Sequence, residues 1–242
     1  MNLTDYTILS FDCYGTLIDW EAGFAAVLVP WAQQVGLDLD EEALLLAYAD
    51  NEAAIEREAP GMLYPQVIAK AFRRTGADLG RAVDDEWAQR MRDSVPNWPA
   101  FDDSAEALRR LRAHYDLVIL SNVHRDGFAA SNERLGGGEF RWIITAQDVG
   151  AYKPADPHFE EFERRLRDAG VGSREVLHVA QSIFHDHVPA KRRGLDSVWI
   201  NRRHARPGWG ATPQPSQGFC YRAEFDSMAA FADAVDEAFA RG

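Results

Sequence analysis

Basic residues and cysteines are scarce in this chain of 242 residues. Its 26 lysines and arginines stand against 38 aspartates and glutamates, which gives a formal net charge of −12. No block rich in lysine or arginine is present, so neither a nucleic acid nor a membrane surface is expected as a partner. The two cysteines, Cys13 and Cys220, lie far apart in the sequence. Reduced thiols in the cytoplasm are the simpler interpretation of such a pair.

Long apolar segments are also missing. The longest uncharged apolar run, residues 22–32, is far shorter than a membrane span and contains Gly23 and Pro30. The start of the chain has neither a basic region nor a cleavage site, so no signal peptide is expected. Hydrophobic residues make up 46% of the chain and charged residues 26%, which is typical of a globular protein with its own core.

Five short apolar runs, rich in β-branched residues, alternate with helical patterns along most of the chain. The runs are 6–11, 117–120, 142–145, 176–180 and 197–200. Near-continuous runs of this length are typical of strands that are covered on both faces. Helical patterns accompany them at 104–114, 157–169, 188–193 and 226–239. This order predicts an α/β fold with a Rossmann-like parallel sheet and helices on both sides of it.

The segment between the first two apolar runs has a different pattern. Residues 21–98 contain amphipathic helical patterns at 41–58, 64–75 and 84–93 and no convincing strand, and they hold 14 acidic and 7 basic residues. We therefore predict a helical domain over residues 20–98, inserted into a core made of residues 1–19 and 99–242. Such an insertion would cover the carboxyl end of the sheet, where open α/β sheets bind their ligands.

An aspartate follows the first predicted strand directly, in residues 11–19 (Phe-Asp-Cys-Tyr-Gly-Thr-Leu-Ile-Asp). This position places the Asp12 carboxylate at the carboxyl edge of the sheet, and Gly15 permits a tight turn whose amides can hold an anion. Three further polar clusters also follow predicted strands: Ser121-Asn122, Lys153-Pro154 and residues 181–187 with Asp186. Because the carboxyl ends of parallel strands meet at one edge, these side chains are expected to converge on one cleft.

With these four clusters in this order, the sequence resembles the haloacid dehalogenase (HAD) superfamily of hydrolases, and more closely its L-2-haloacid dehalogenase (type II) branch. The resemblance covers nearly the whole chain and implies a Rossmann-like core with a helical cap inserted after the first strand. Tyr14 stands where phosphatases of the superfamily have a second aspartate, which protonates the leaving alcohol. Gln181 stands where they have an aspartate that holds Mg²⁺. A departing halide needs neither the proton nor the metal.

The resemblance implies covalent catalysis on a small 2-haloacid, with no cofactor and no metal. Asp12 would attack C2 and expel halide, and water positioned by Asp186 would cleave the aspartyl ester to give a 2-hydroxy acid. The remaining catalytic residues that it implies are Thr16, Ser121 and Lys153, and the substrate-binding residues are Cys13, Tyr14 and Asn122. A homodimer is common in this family.

The sequence departs from the dehalogenase pattern in the cap and in the fourth cluster. Ala49 or Asp50 stands where the first cap helix of the family usually carries an arginine, and Arg57 is the nearby candidate to replace it. Gln181 and Ile183 replace a serine and an asparagine, and Phe159 replaces a tyrosine. Two alternatives therefore stay open: a Mg²⁺-dependent phosphatase or other small-molecule hydrolase, and a non-catalytic binding member of the superfamily.

Two further features allow either a functional or a purely structural interpretation. His185 and His187 flank Asp186, and we expect one of them to hold Asp186 by a hydrogen bond while the other is exposed. The segment 201–213 is rich in glycine and proline and too long for a plain turn, which fits either a functional loop or an ordered crossing of the surface.

Overall fold

The computed structural model describes residues 1–204, 208–215 and 218–241. Six strands form one parallel sheet in the order β3-β2-β1-β4-β5-β6. They are β1 (Ile8–Phe11), β2 (Asp116–Ser121), β3 (Trp142–Thr145), β4 (Val176–Ala180), β5 (Asp196–Ile200) and β6 (Ala223–Phe225). Since β2 and β4 flank the central β1, the strand order reverses beside it, which is where ligands bind in such sheets.

Five helices lie between β1 and β2, and the others alternate with the later strands. They are α1 (Trp20–Gln34), α2 (Glu41–Glu58), α3 (Tyr64–Asp78), α4 (Asp85–Arg92), α5 (Ser104–Leu111), α6 (Arg125–Arg134), α7 (Ala146–Val149), α8 (Pro157–Asp168), α9 (Val188–Arg192) and α10 (Met228–Arg241). The predicted fold class, a parallel-sheet core with a helical cap inserted after the first strand, is confirmed. The domain boundaries at residues 19/20 and 98/99 stay a prediction.

The central strands are buried because helices cover both faces of the sheet. Every residue of β1 and β4 is buried. Side chains alternate between the faces, so Ile8 packs into one apolar cluster and Leu9 into the other. Each such aliphatic side chain contributes about 1.5–3 kcal/mol when it is fully buried. The central strands are therefore a rigid support for the residues that follow them.

Helix α2 matters most for the site. It begins after Asp40, whose carboxylate accepts a hydrogen bond from the Ala43 amide at 2.8 Å and so caps the helix. Its buried positions follow the three- and four-residue spacing of one helical face: Leu44, Leu45, Tyr48, Ala49, Glu52, Ile55 and Glu56. Two glutamates thus lie on a face that is otherwise apolar.

Some elements have no counterpart in the sequence-based prediction. Helix α1 is apolar around much of its circumference, so it lacks the periodicity that marks an amphipathic helix. Strand β6 has three partly or fully exposed residues at the edge of the sheet.

Within the described ranges, the helices are all too short or too polar to cross a membrane.

Candidate active site

The turn after β1 presents Asp12 at the edge of the sheet. The amides of Leu17 and Ile18 both donate to the Cys13 carbonyl, at 2.8 and 2.9 Å, and close the turn. Gly15 has a φ of +90°, in the region that favours glycine, and a Cβ there would lie 2.8 Å from Nε1 of Trp20. The chain therefore turns back into α1 at once and leaves the Asp12 carboxylate facing the cap.

Lys153 is held between two carboxylates. Its Nζ donates to Oδ1 of Asp12 at 3.0 Å, to Oδ1 of Asp186 at 2.6 Å and to the Leu120 carbonyl at 2.8 Å. These three bonds use every hydrogen of the ammonium group. Lys153, Asp12 and Asp186 are all buried, so one cation is shared by two acids away from solvent. We call these three residues the charged triad.

The charged triad shifts the pKa values of its members. Burial opposes the charge of Lys153, but the two carboxylates outweigh it and raise the pKa of the ammonium group. Burial also opposes ionisation of Asp186, yet Lys153 and the hydrogen bond from His178 hold its pKa well below the usual range. For Asp12, burial and the negative charge of Asp186 exceed the effect of Lys153, and its pKa is raised.

Two residues behind the charged triad fix its carboxylates. Thr16 Oγ1 donates to Oδ2 of Asp12 at 2.9 Å and accepts from the Gln181 amide at 2.9 Å. His178 Nε2 lies 3.0 Å from Oδ1 of Asp186, and its Nδ1 lies 2.9 Å from Oγ of Ser10. Because an ionised Asp186 can only accept, Nε2 carries the hydrogen of this pair.

The charged triad forms the floor of a cavity between the sheet edge and the helical insertion. Six of the sequence-predicted site residues line it: Asp12, Tyr14, Ser121, Asn122, Lys153 and Asp186. Thr16 lies behind Asp12, and the Cys13 side chain is buried outside this lining. Oγ of Ser121 and Oδ2 of Asp186 are buried and have no hydrogen-bond partner among the residues that the structure describes.

Asn122 supports the charged triad through its side-chain amide. Its Oδ1 accepts from the Lys153 amide at 2.7 Å, and its Nδ2 donates to the Lys153 carbonyl at 3.1 Å. This paired contact fixes the backbone of Lys153 while Asn122 still faces the cavity. The residue predicted to bind substrate therefore also positions the lysine.

The helical insertion contributes two carboxyl groups that sequence reasoning missed. Glu52 and Glu56 of α2 line the cavity, and Tyr64 of α3 donates to Oε1 of Glu52 at 2.8 Å. Burial raises the pKa of Glu52 to about 7 and that of Glu56 well above its ordinary value. The signal was present in the sequence, because the i, i+4 spacing places both glutamates on the buried face of α2.

Several expectations need correction. Arg57 does not enter the cavity; it is exposed, and its Nε donates to the Ala53 carbonyl on its own helix. Neither His185 nor His187 bonds to Asp186: His185 pairs with Ser182, and His187 is buried against Ser197 and the Ala180 carbonyl. The residue that holds Asp186 is instead His178.

The glycine- and proline-rich segment 201–213 approaches the cavity. Ala211, Thr212 and Pro213 are part of the lining. Residues 205–207 of this segment lie outside the described residues. Arg203 bridges Glu21 of α1 and Glu42 of α2, at 3.3 and 2.6 Å, which ties the segment to the helical insertion.

A metal site is not apparent in the part of the chain that the structure describes, where His, Cys, Asp and Glu form no group of three or more suited to a metal ion. Beside Asp12, the lining offers the uncharged Gln181 together with Ser182 and His185. The charge next to Asp12 comes from Lys153.

A carboxylate lies at the carboxyl edge of a parallel sheet, paired with a buried lysine and a second aspartate under a helical insertion. This arrangement is typical of a hydrolase-type site. The family profile described as haloacid dehalogenase-like hydrolase matches residues 6–183. The chain belongs to the haloacid dehalogenase-like hydrolases, which confirms the resemblance inferred from the four polar clusters.

The chain is also similar to individual proteins, one by sequence and two by fold. The chain is 31% identical over 202 residues to an (S)-2-haloacid dehalogenase of Pseudomonas putida, covering 80% of this chain and 84% of that one. The L-2-haloacid dehalogenase of Xanthobacter autotrophicus with chloropropionic acid covalently bound has a TM-score of 0.76 and 18% identity, covering 96% and 98% of the two chains. A magnesium-bound HAD hydrolase of Bacillus subtilis has a TM-score of 0.73 and 18% identity, covering 96% and 99%. The two structures share the fold.

Proposed function

We propose that this chain is a hydrolytic dehalogenase of short 2-haloacids that forms an ester on Asp12 and releases halide and a 2-hydroxy acid. The observation that carries the proposal is the position of Lys153 between Asp12 and Asp186 on the cavity floor. One buried cation serves both a nucleophile and a residue that can position water. The (S)-2-haloacid dehalogenase activity of the Pseudomonas putida relative supports the substrate class.

In the first step, the ionised Asp12 carboxylate attacks C2 of the substrate. The new C–O bond forms as the carbon–halogen bond breaks, and the halide leaves with the bonding electron pair. Lys153 and Thr16 each hold one carboxylate oxygen, so the attacking group is oriented before the substrate enters. Tyr14, two residues after Asp12, suits a leaving group that needs no proton.

In the second step, water attacks the carbonyl carbon of the Asp12 ester and releases the 2-hydroxy acid. Asp186 suits the positioning of this water because Lys153 and His178 occupy its Oδ1, while Oδ2 has no partner within the described ranges. Oδ2 can accept a proton from the water as it attacks. Asp186 passes this proton to the ester oxygen as the C–O bond to the Asp12 carbonyl breaks and the product leaves. The second proton of the water is released to solvent, and Asp12 returns to its ionised form.

Groups on the core side can bind the substrate carboxylate. The amides of Cys13 and Tyr14 make no hydrogen bond within the described ranges, and they lie in the turn that carries Asp12. The buried Ser121 hydroxyl is a third donor on the cavity wall. Donors of this kind stabilise an anion where bulk water is excluded. A cytoplasmic location and a homodimer stay part of the proposal.

Halide release tests the proposal directly. We expect purified protein to release halide from chloroacetate or L-2-chloropropionate in the presence of EDTA, and Asp12→Asn to release none. Mass spectrometry of the denatured protein should detect the substrate-derived mass on the native chain. If halide does not appear but p-nitrophenyl phosphate is cleaved after Mg²⁺ is added, the phosphatase alternative is correct. Inactivity in both assays would favour a non-catalytic binding protein.

A further inference from the structure

The cap-side wall of the cavity carries two acids that the reaction does not require. Glu52 and Glu56 lie one helical turn apart on α2 and are only 9% and 8% exposed. They line the same cavity as the charged triad. Tyr64 donates to Glu52, whereas the Glu56 carboxyl has no hydrogen-bond partner among the described residues. Burial disfavours the charged form of such a carboxyl group, and a cation that pairs with it would offset that cost.

The charge balance of the cavity indicates which ligand group would satisfy this wall. Four carboxyl groups, those of the two aspartates and of Glu52 and Glu56, line it together with one ammonium group. Arg202 pairs with Asp103, and Arg203 pairs with Glu21 and Glu42. Arg57 lines the neighbouring cleft and not this cavity, and its Nε donates to the Ala53 carbonyl. An alkyl haloacid would add a negative charge to the cavity without adding a positive one.

We propose that Glu52 and Glu56 form a subsite for a cationic ammonium group, so that the preferred substrate is a 2-haloacid that carries an amino group on its side chain. This inference rests on the proposed function and names the substrate class within it. In such a zwitterion the carboxylate meets the donors of the core, and the ammonium group meets the acceptors of the cap. Both charges then have partners among largely buried side chains.

The remaining walls of this subsite suit an ammonium group. The rings of Tyr14 and Tyr64 lie 5.9 Å apart, and both line the cavity beside the indole of Trp20. Aromatic faces attract cations, and most strongly where water is excluded. Glu56 also lines a wider neighbouring cleft, which shares Ala53 and Lys153 with the cavity. Glu56 therefore lies where a long polar side chain of the substrate would pass.

Ammonium binding should be linked to proton release. Burial raises the pKa of both glutamates, so the empty subsite holds protons near neutral pH that a bound cation would displace. The titratable groups that face this pair are Tyr48, Tyr64 and Tyr152, together with Lys153, Asp12, Asp186 and His185. The tyrosine pKa values are all raised, so these hydroxyls stay neutral in the same range. The glutamates are thus the groups whose protons respond to the ligand.

Two stable product analogues test the subsite without turnover. 3-Amino-2-hydroxypropionate carries an ammonium group that 2-hydroxypropionate lacks, and both enantiomers of each can be titrated into the full-length protein by calorimetry. We expect the amino compound to bind at least about tenfold more tightly, as a charge-assisted hydrogen bond implies. Repeating the titration in buffers of different ionisation enthalpy should show that protons are released only with the amino compound.

Single substitutions assign the preference to the glutamates. In Glu56→Gln and Glu52→Gln, the preference for the amino compound should shrink to within about twofold, since a neutral amide attracts a cation weakly. Glu58→Gln is the matched control, because Glu58 is exposed on the same helix and pairs with Arg74. It should keep the full preference.

The results separate this inference from the proposed function. Equal affinity of the wild-type protein for the two analogues overturns the subsite, whatever the halide assay shows and whether or not the variants fold. A preference that survives in both glutamine variants overturns the assignment to Glu52 and Glu56. A preference with the expected losses, but without halide release from any 2-haloacid, supports the subsite and rejects the dehalogenase proposal.

Discussion

Nε2 of His178 lies 3.0 Å from Oδ1 of Asp186, and both side chains are fully buried. The histidine comes from the middle of β4, eight residues before the aspartate. A charged hydrogen bond in such a place stabilises the ionised carboxylate and fixes its orientation. His178 is therefore a positioning residue that acts on the proposed second step through Asp186.

Substitution of His178 by leucine, which has no hydrogen-bond donor, should slow ester hydrolysis more than ester formation. Without the imidazole donor, the pKa of Asp186 rises and its orientation loosens, and we expect kcat to fall about 10–100-fold, the equivalent of one hydrogen bond to a charge. The Asp12 ester should accumulate, which mass spectrometry of quenched enzyme would detect. His187→Asn is the control, since that buried histidine bonds to Ser197 and not to the triad. A slower reaction without ester accumulation would contradict the assignment.

Thr16→Val should shift the acid side of the pH–rate profile. Burial already raises the pKa of Asp12, and the Thr16 hydrogen bond opposes that rise, so its loss raises the pKa further. The nucleophile must be ionised, so activity in the variant should disappear at a higher pH than in the wild type as the pH is lowered. The Gln181 amide also loses its acceptor, which costs about 1–3 kcal/mol of stability. Thr16→Ser retains the hydroxyl and should retain the wild-type profile.

Lys153→Met should abolish activity and destabilise the fold by about 3–5 kcal/mol, because two buried carboxylates lose the cation that they share. In the variant both carboxyl pKa values lie above those of the unfolded chain, so its stability falls as the pH rises. Urea unfolding should therefore show a larger loss relative to wild type at pH 8 than at pH 5. Lys191→Met removes an exposed lysine and should change neither the activity nor the free energy of unfolding. An equal loss at both pH values would be inconsistent with this account.

Glu52→Gln should stabilise the protein in mild alkali. The pKa of Glu52 is raised from an ordinary 4.5 to about 7, so the native state holds a proton that the unfolded state releases between these values. The contribution of Glu52 to the free energy of unfolding is fully present below pH 4.5 and is lost as the pH rises towards 7. The variant should exceed the wild type by up to about 3 kcal/mol at pH 8 and match it near pH 4. Urea titrations at pH 8 and pH 4 would measure the free energy of unfolding of both proteins, with Glu58→Gln as the reference variant. Equal stability of Glu52→Gln and wild type at pH 8 would contradict the prediction.

The sequence predicted the residues that lie at or beyond the carboxyl ends of strands: Asp12 follows β1 directly, Ser121 ends β2, and Lys153 comes after α7, which follows β3. Asp12, Ser121 and Lys153 each come after an apolar run, and the common edge of a parallel sheet brings such positions together whatever the exact register. Helix α2 was predicted with its observed bounds because its cap and its periodicity agree.

The residues that the sequence analysis missed owe their roles to strand pairing and to the direction of their side chains. Short sequence patterns give neither. His178 interrupts an apolar run, and its role becomes visible only when β4 pairs with β1 and places it beside Ser10. Arg57 was chosen by distance along the helix, but it lies on the exposed side of α2, one residue after the buried Glu56. Nearness in sequence also misled for His185 and His187, which flank Asp186 but form hydrogen bonds with other residues.

Glu52 and Glu56 lie on helix α2 of the insertion. The charged triad lies in the core, in segments that follow the strands of the sheet. On the proposed function, substitutions at these two positions of α2 would alter which substrate side chains the cavity admits without changing the charged triad. Substrate range can therefore diverge among such proteins while the reaction is retained. For protein engineering, residues 52 and 56 are the positions at which to begin a library.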